Sequence, residues 1–520
     1  MNPVVTNISW DRIWISFYIE NVPATEHIHI RALNGSYSAR LVHPDQSSTE
    51  YRLNITNPGN CRMLPVGIYR LVTSDDTPIE SAVTDIKKYN TKFVYFHSER
   101  SYGVQFSGKN GLKLKVTDGR IKGLDKVKAA KSFVRRSRHD LAKAILRAIY
   151  NAEYKIFHDK KHAKPRILLM SDQSEEMGSN MKALKDALLK EGYAPKEALR
   201  AITTKHYSIL HWIKTLKKIA EADYIFLDDH SQTTDWLTIK GAVITQLWHA
   251  GAGFKSTGYS RFGMPASPAP WSGHRQYTYG IAGSKKIRHF FSEVWGINDD
   301  MVLPTGMPRL DEFLNEEHKE KVSAELRKMI SELTPEATGS NGKLRRIILF
   351  APTYRGENKK HAYYPYEMLD MDRLYELCKL TDSLFIFKMH PFLNKEDVPI
   401  PKKYKDRILN LTDYPNINDL FYISDLLITD YSSNIYEYSL MKRPMLFYSF
   451  DIESYTKERG FHRDYRTNVP GKIVETFDDL YKAVIDEDFE FEKVQEYVDN
   501  NFDHIDDHAC ERVINWIIKK

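Results

Sequence analysis

Cysteine is scarce in this chain of 520 residues: Cys61, Cys378 and Cys510 lie far apart, are odd in number and form no CxxC pair. That pattern indicates neither a disulfide framework nor a zinc site, and it makes a reducing cytosol the expected compartment. No run approaches the roughly 18 consecutive apolar residues of a membrane span. The opening stretch MNPVVTNISWDR lacks a basic segment followed by an apolar one, so the chain is expected to be neither secreted nor integral to a membrane. A GxxxxGK[ST] loop, a GxGxxG turn between strand and helix, and an acidic pair spaced for magnesium are all missing, which argues against P-loop and dinucleotide enzymes. The strand-end acids Asp228, Asp229 and Asp430 are isolated, and their spacing compels no metal. Neither a cofactor nor a nucleic-acid partner is expected.

What is present is a globular composition, 42% hydrophobic and 12% aromatic with 31 tyrosines, on a length that suggests about three domains. The net charge of +6 is unevenly spread. Residues 126 to 166 (KVKAAKSFVRRSRHDLAKAILRAIYNAEYKIFHDKKHAKPR) are dense in lysine and arginine and poor in acids. Before them, residues 1–118 alternate short apolar and polar runs (RIWISFYIE, HIHIRAL, GIYRLVTS) with turn signals, the pattern of a small β-sandwich domain. Over 127–157 the period becomes helical. Val134, Leu141, Ile145, Leu146, Ile149 and Tyr150 share a face, and Arg135, Arg136, Arg138, Lys143 and Arg147 lie mostly elsewhere. Residues 119–165 therefore read as a basic amphipathic helical linker.

From Pro165 strand and helix patterns alternate (RILLMSD, NMKALKDALLKEG, HYSILHWIKTLKKIAEA, DYIFLDD), and a second series follows the breaker-rich LTPEATGSNGKLR. Alternation of this kind means parallel sheets covered on both faces. The expected fold class is α/β, with two Rossmann-like domains, 166–335 and 336–520, facing each other across a cleft. The C-terminal helix is expected to pack back across it.

Reactive side chains gather at strand ends. The run GAVITQLW leads into His249, two glycines and Lys255; LFAPTYRG ends with Arg355; FIFKMHP ends with Lys388 and His390; LLITDYSSN carries Thr429, Asp430, Ser432 and Ser433 into a helix. Helix N-termini expose unpaired N–H groups, and serine or threonine both cap them and add donors toward a phosphate. An ordinary N-cap explains TDYSSN taken alone; Arg355 and Lys388 on neighbouring strand ends favour phosphate.

The motifs LWHAGAGFK, TGMPRLDEF, APTYRG, FKMHP and ISDLLITDYSSNIYEYSLMKRPMLFYSFDIESYTKERGFHRDY, in this order, resemble the CDP-glycerol/CDP-ribitol polyol-phosphate transferases that build wall teichoic acids and related capsules. The resemblance covers about residues 165 to 485. It implies a GT-B arrangement, agreeing with the tandem sheets, and an enzyme that moves polyol phosphate from a CDP-polyol to the terminal hydroxyl of a lipid-linked polyol-phosphate acceptor, releasing CMP. Carried over by motif, His249 is the general base and His390 a second catalytic histidine. Arg355, Lys388, Thr429, Asp430, Ser432 and Ser433 contact the donor phosphates, Lys255 lies on the acceptor side, and no metal is called for. Many glycerol-phosphate members read HGTPLK where this chain reads HAGAGFK, which favours ribitol.

The transfer is largely positioning and charge stabilisation, and an imidazole of ordinary pKa near 6.5 suits the base role. Arg135, Arg136, Arg138 and Lys143 would hold the enzyme to an anionic inner membrane face as a peripheral, cytoplasmic protein; a solvated linker is the plainer reading. A homo-oligomer is compatible with the sequence. The alternatives are a CDP-glycerol glycerophosphotransferase, a GT-B nucleotide-sugar glycosyltransferase and a non-catalytic, membrane-docked binding protein.

Overall fold

The computed structural model describes residues 2–520 apart from 46, 96–99, 109–110, 121–125, 159–161, 203, 265–266, 271, 341 and 357–358; over 120, 126–138 and 335 it describes the backbone only. The first part of the chain makes two sheets. Four strands run in the order Glu50–Asn54, Trp14–Glu20, Val4–Asp11, Glu80–Ser81, and six in the order Ser38–Arg40, His29–Ala32, Gly67–Val72, Lys113–Arg120, Arg100–Ser107, Thr91–Tyr95. Their alternating apolar residues, among them Ile15, Phe17, Leu53, Leu71, Val104 and Leu114, fill one shared core. Phe262, from far down the chain, completes that core against Phe93 at 5.2 Å.

Lys126–Phe157 is one continuous helix. Its expected apolar face divides. Leu146 and Tyr150 are buried in the core beside the helix Ile209–Glu221, whereas Leu141 and Ile145 stay 65% and 51% exposed. The C-terminal part of this helix therefore belongs to the α/β layer rather than to a free linker. The side chains of Arg135, Arg136 and Arg138 lie outside the described residues.

Two six-stranded parallel sheets follow. The first runs Lys196–Leu199, Ile167–Ser171, Tyr224–Leu227, Val243–Gln246, Tyr279–Ile281, Val302–Leu303. The second runs Ile408–Asn410, Ser383–Phe387, Arg346–Phe350, Leu426–Thr429, Met445–Tyr448, Lys472–Val474. Strands such as Ile167–Ser171, Ser383–Phe387 and Leu426–Thr429 are buried at every position, because helices cover both faces. In the second sheet the strand order reverses between Arg346–Phe350 and Leu426–Thr429, and a crevice opens beyond their carboxyl ends.

One apolar cluster joins the sheets, running from Ile167 and Leu169 through Met307 and Tyr436 to Leu349 and Leu427. The end of the chain returns to the first sheet. Ile514, Ile517 and Ile518 enter the same cluster, and Asp311 accepts from the Ala509 and Cys510 N–H groups at 2.7 and 2.8 Å.

Candidate active site

The strand Val243–Gln246 carries the chain to the edge where His249 stands. Trp248 has a left-handed φ of 55°, an uncommon conformation for a bulky residue, and its N–H donates to Gln246 Oε1 at 2.9 Å. This turn leaves the His249 side chain 60% exposed, stacked on Trp248 at 4.7 Å, with Nδ1 3.5 Å from Asp229 Oδ2. Asp229 follows the neighbouring parallel strand, so both groups reach the same sheet edge. The His249 carbonyl accepts from Arg309 Nη1 at 2.8 Å, and Arg309 is ion-paired to the buried Glu437 of the second half. His249 is thus tied by its backbone to both sheets.

Around His249 opens a hollow of about 430 Å³, walled by Asp229, Lys255, Arg261, Phe290, Ser433 and Arg459, among others. A second hollow, of about 290 Å³, lies at the reversal point of the second sheet, lined by Thr353, Tyr354, Lys388, His390, Ser432, Ser433 and Asn434. Lys255 and Ser433 line both. Sequence motifs separated by more than a hundred residues therefore meet in one place.

The second hollow is lined by cationic and hydrogen-bonding side chains. Lys388 is buried and donates to the Thr412 carbonyl at 2.8 Å, and burial lowers its pKa. Neither Lys388 nor Lys255 has a carboxylate in ion-pair range among the described residues. Burial, with Arg459 and Arg355 adding to it, brings Lys255 down to about 8 against the opposing pull of Asp430. His390 Nδ1 accepts the Phe392 N–H at 3.1 Å, which places the proton of the neutral ring on Nε2. Burial, then Lys255 and Lys388, push His390 to about 4, so at neutral pH it is an N–H donor and not a cation. The Thr353 hydroxyl is buried without a partner. Among the described residues no three His, Cys, Asp or Glu side chains converge as a metal would require.

Three expected phosphate ligands are placed elsewhere. Arg355 is buried behind the hollow, its Nη1 on Asp430 at 2.8 Å and its Nε and Nη2 on Asp451 at 2.7 and 2.9 Å, amid the rings of Tyr431, Phe450 and Tyr455. Its Nη1 also donates to the Thr353 carbonyl at 2.6 Å, and Arg355 is not among the residues lining the hollow. Asp430 is closed off by the Thr353 and Tyr431 N–H groups at 2.7 and 2.6 Å, and the fully buried Thr429 hydroxyl donates to the Ala351 carbonyl at 2.7 Å. Ser432 and Ser433 do reach the hollow, before a helix of only five residues, Ile435–Ser439. Lys255, expected on the acceptor side, stands at the junction of both hollows, and Lys143 is half-buried on its helix. A Cβ at Gly251 would overlap the Tyr436 ring, so its lack of side chain serves contact between the sheets. Arg309, Thr353 and Arg459 are not singled out by the sequence reading, and Asp229 enters it only as an isolated strand-end acid; their strand-end or turn positions are the signal that points to them.

The family model described as CDP-glycerol:poly(glycerophosphate) glycerophosphotransferase matches residues 152–519. The chain is 33% identical over 437 residues to the teichoic acid poly(ribitol-phosphate) polymerase of Bacillus spizizenii, covering 83% of this chain and 67% of that one. It is 34% identical over 412 residues to the ribitol-phosphate polymerase TarL of Staphylococcus aureus, covering 78% and 71%. The solved structure of the wall teichoic acid polymerase TagF superposes with a TM-score of 0.54 at 21% identity, over 76% of this chain and 98% of that one, and shares the mixed α/β fold of several sheets. The hollows and their motifs lie within the matched span, and the chain belongs to the CDP-glycerol:poly(glycerophosphate) glycerophosphotransferase family.

Proposed function

We propose that this enzyme transfers ribitol phosphate from CDP-ribitol to the terminal hydroxyl of a polyol-phosphate acceptor, releasing CMP. The observation that carries the reading is the meeting of the two hollows at Lys255 and Ser433, with His249 on one side and Lys388 and His390 on the other. The donor diphosphate occupies the smaller hollow, its charge met by Lys255, Lys388, the His390 Nε2–H and the Ser432 and Ser433 hydroxyls. The acceptor hydroxyl enters the larger hollow beside His249. His249 takes the hydroxyl proton as that oxygen bonds to the polyol-linked phosphorus, and the bond from that phosphorus to the CMP oxygen breaks. Asp229, 3.5 Å from Nδ1, orients the ring. The cations offset the charge that builds on departing CMP.

Two relatives at 33% and 34% identity are named as ribitol-phosphate polymerases, which supports ribitol over glycerol. The two parallel sheets are read as a GT-B pair and the first two sheets as a β-sandwich module. No helix among the described residues is long and apolar enough to cross a membrane. The basic segment 126–138, with Leu141 and Ile145 exposed beyond it, is proposed to dock on the anionic inner face of the membrane, close to a lipid-linked acceptor. The test is a donor panel of CDP-ribitol, CDP-glycerol and UDP-sugars with a soluble polyol-phosphate acceptor. CMP release with CDP-ribitol fastest is expected; release of UDP alone would overturn the reading.

A further inference from the structure

The larger hollow holds more cationic charge than a proton transfer at His249 needs. Arg459 ends the helix Ile452–Arg459 and is half-buried in the wall, its Nη2 donating to the Gly356 carbonyl at 2.6 Å. The Arg459 carbonyl accepts from Arg261 Nη1, also at 2.6 Å. The wall is stitched across two loops: Ser256 N–H donates to the Gly460 carbonyl at 3.2 Å and His462 N–H to the Phe254 carbonyl at 2.6 Å. Gly460, at φ 70° and ψ 143°, adopts a backbone that side-chain-bearing residues avoid, next to the bridge between Lys255 and Phe461. Arg459, Arg261 and Lys255 are thereby fixed around one space, close enough that Arg459 opposes the charge of both others. Arg459 has no carboxylate in ion-pair range among the described residues, and the acid nearest His249 in that hollow, Asp229, is turned to the imidazole. Arg459 and Arg261, held together at a mouth shared with the base and absent from the lining of the donor's hollow, mark a place for a second anion beside the donor diphosphate.

Resting on the transfer reading above, we infer that Arg459, with Arg261, binds the last phosphodiester of the acceptor chain, so that the enzyme selects acceptors already carrying a polyol phosphate. The growing polymer bears one negative charge per unit, immediately behind the polyol whose hydroxyl reacts. A neutral acceptor end presents no such group. Phe290, which also lines the hollow, offers apolar surface for the carbon skeleton.

The test uses the full chain with saturating CDP-ribitol and two soluble acceptors of equal length ending in the same free ribitol, one joined through a phosphodiester and one through an ether. Charge-assisted hydrogen bonds to one phosphate are expected to favour the phosphodiester acceptor about 10- to 100-fold in kcat/KM. Arg459→Gln is expected to bring that ratio close to one by raising KM for the phosphodiester acceptor, with Arg459→Lys intermediate, at melting temperatures that show both variants folded. Equal kcat/KM for the two acceptors in the wild type, or an unchanged ratio in folded Arg459→Gln, overturns the inference while leaving the transfer reading standing. Absence of CMP release from any CDP-polyol with the wild type instead overturns the transfer reading, and this inference with it. Should Arg459→Gln fail to fold, an Arg459→Lys ratio equal to that of the wild type has the same overturning force.

Discussion

His249 and His390 both follow buried parallel strands, yet their surroundings prepare them for opposite work. His249 is exposed and paired to a carboxylate, as a proton acceptor needs. His390, held at about 4 by burial and two lysines, stays neutral at physiological pH and offers a fixed Nε2–H. Lys255, brought down by burial to about 8, loses its charge close to the physiological range. It is charged below that value and loses its proton above it, so phosphate binding should weaken as pH rises through about 8. The expected result is a donor KM that climbs above pH 8, with the climb moved to higher pH in Lys255→Arg; a flat profile from pH 7 to 9.5 would count against the assignment. Arg355 leads to a different expectation. Its removal leaves Asp430 and Asp451 without their buried partner, a loss of about 3–5 kcal/mol that urea unfolding would detect. Ser432→Ala, at the hollow's surface, should raise the donor KM without a comparable change in stability.

At the scale of elements, the central strands were legible because burial on both faces leaves continuous apolar runs such as RIILF and SLFIF. The short strands Lys196–Leu199, Val302–Leu303 and Lys472–Val474 carry too few or too polar residues to stand out. The strand-end motifs were readable for the same reason as the strands, but the direction of each side chain was not. Arg355 and Ser432 look equally available in sequence, and only tertiary pairing with Asp430 and Asp451 removes the first. The helix Lys126–Phe157 shows the complementary limit: its 3.6-residue pattern was plain, but periodicity does not say what covers each part of the face. Leu146 and Tyr150 face protein, whereas Leu141 and Ile145 do not. Replacing Arg135, Arg136, Arg138 and Lys143 with Gln should release the protein from anionic vesicles. Wild-type binding should weaken as salt shortens the Debye length from about 10 Å at 0.1 M toward about 3 Å at 1 M. Sedimentation at low and high salt is the measurement, and equal binding of the quadruple variant would reduce this helix to a structural element.

On the scale of the whole molecule, the site exists because distant parts are locked together. Arg309 links the His249 carbonyl to Glu437, Gly251 admits Tyr436, and the C-terminal isoleucines return to the first sheet's core. The first two sheets join in as well: Trp14 donates to Glu293 at 2.6 Å, Glu293 also bonds His462, and Arg12 donates to the His462 carbonyl at 2.9 Å. The wall bearing Arg459 is therefore braced by all three sheet systems, and none of these long-range bonds has a local sequence signal.

The central claim is that His249 takes a proton from an acceptor hydroxyl that attacks a CDP-polyol. It is tested most directly by following acceptor mass and CMP together, in wild type and in His249→Ala. The account predicts that the acceptor gains one ribitol phosphate per CMP released and that folded His249→Ala slows both by about 10²- to 10⁴-fold. CMP released with no gain in acceptor mass, or His249→Ala turning over at the wild-type rate, would contradict it.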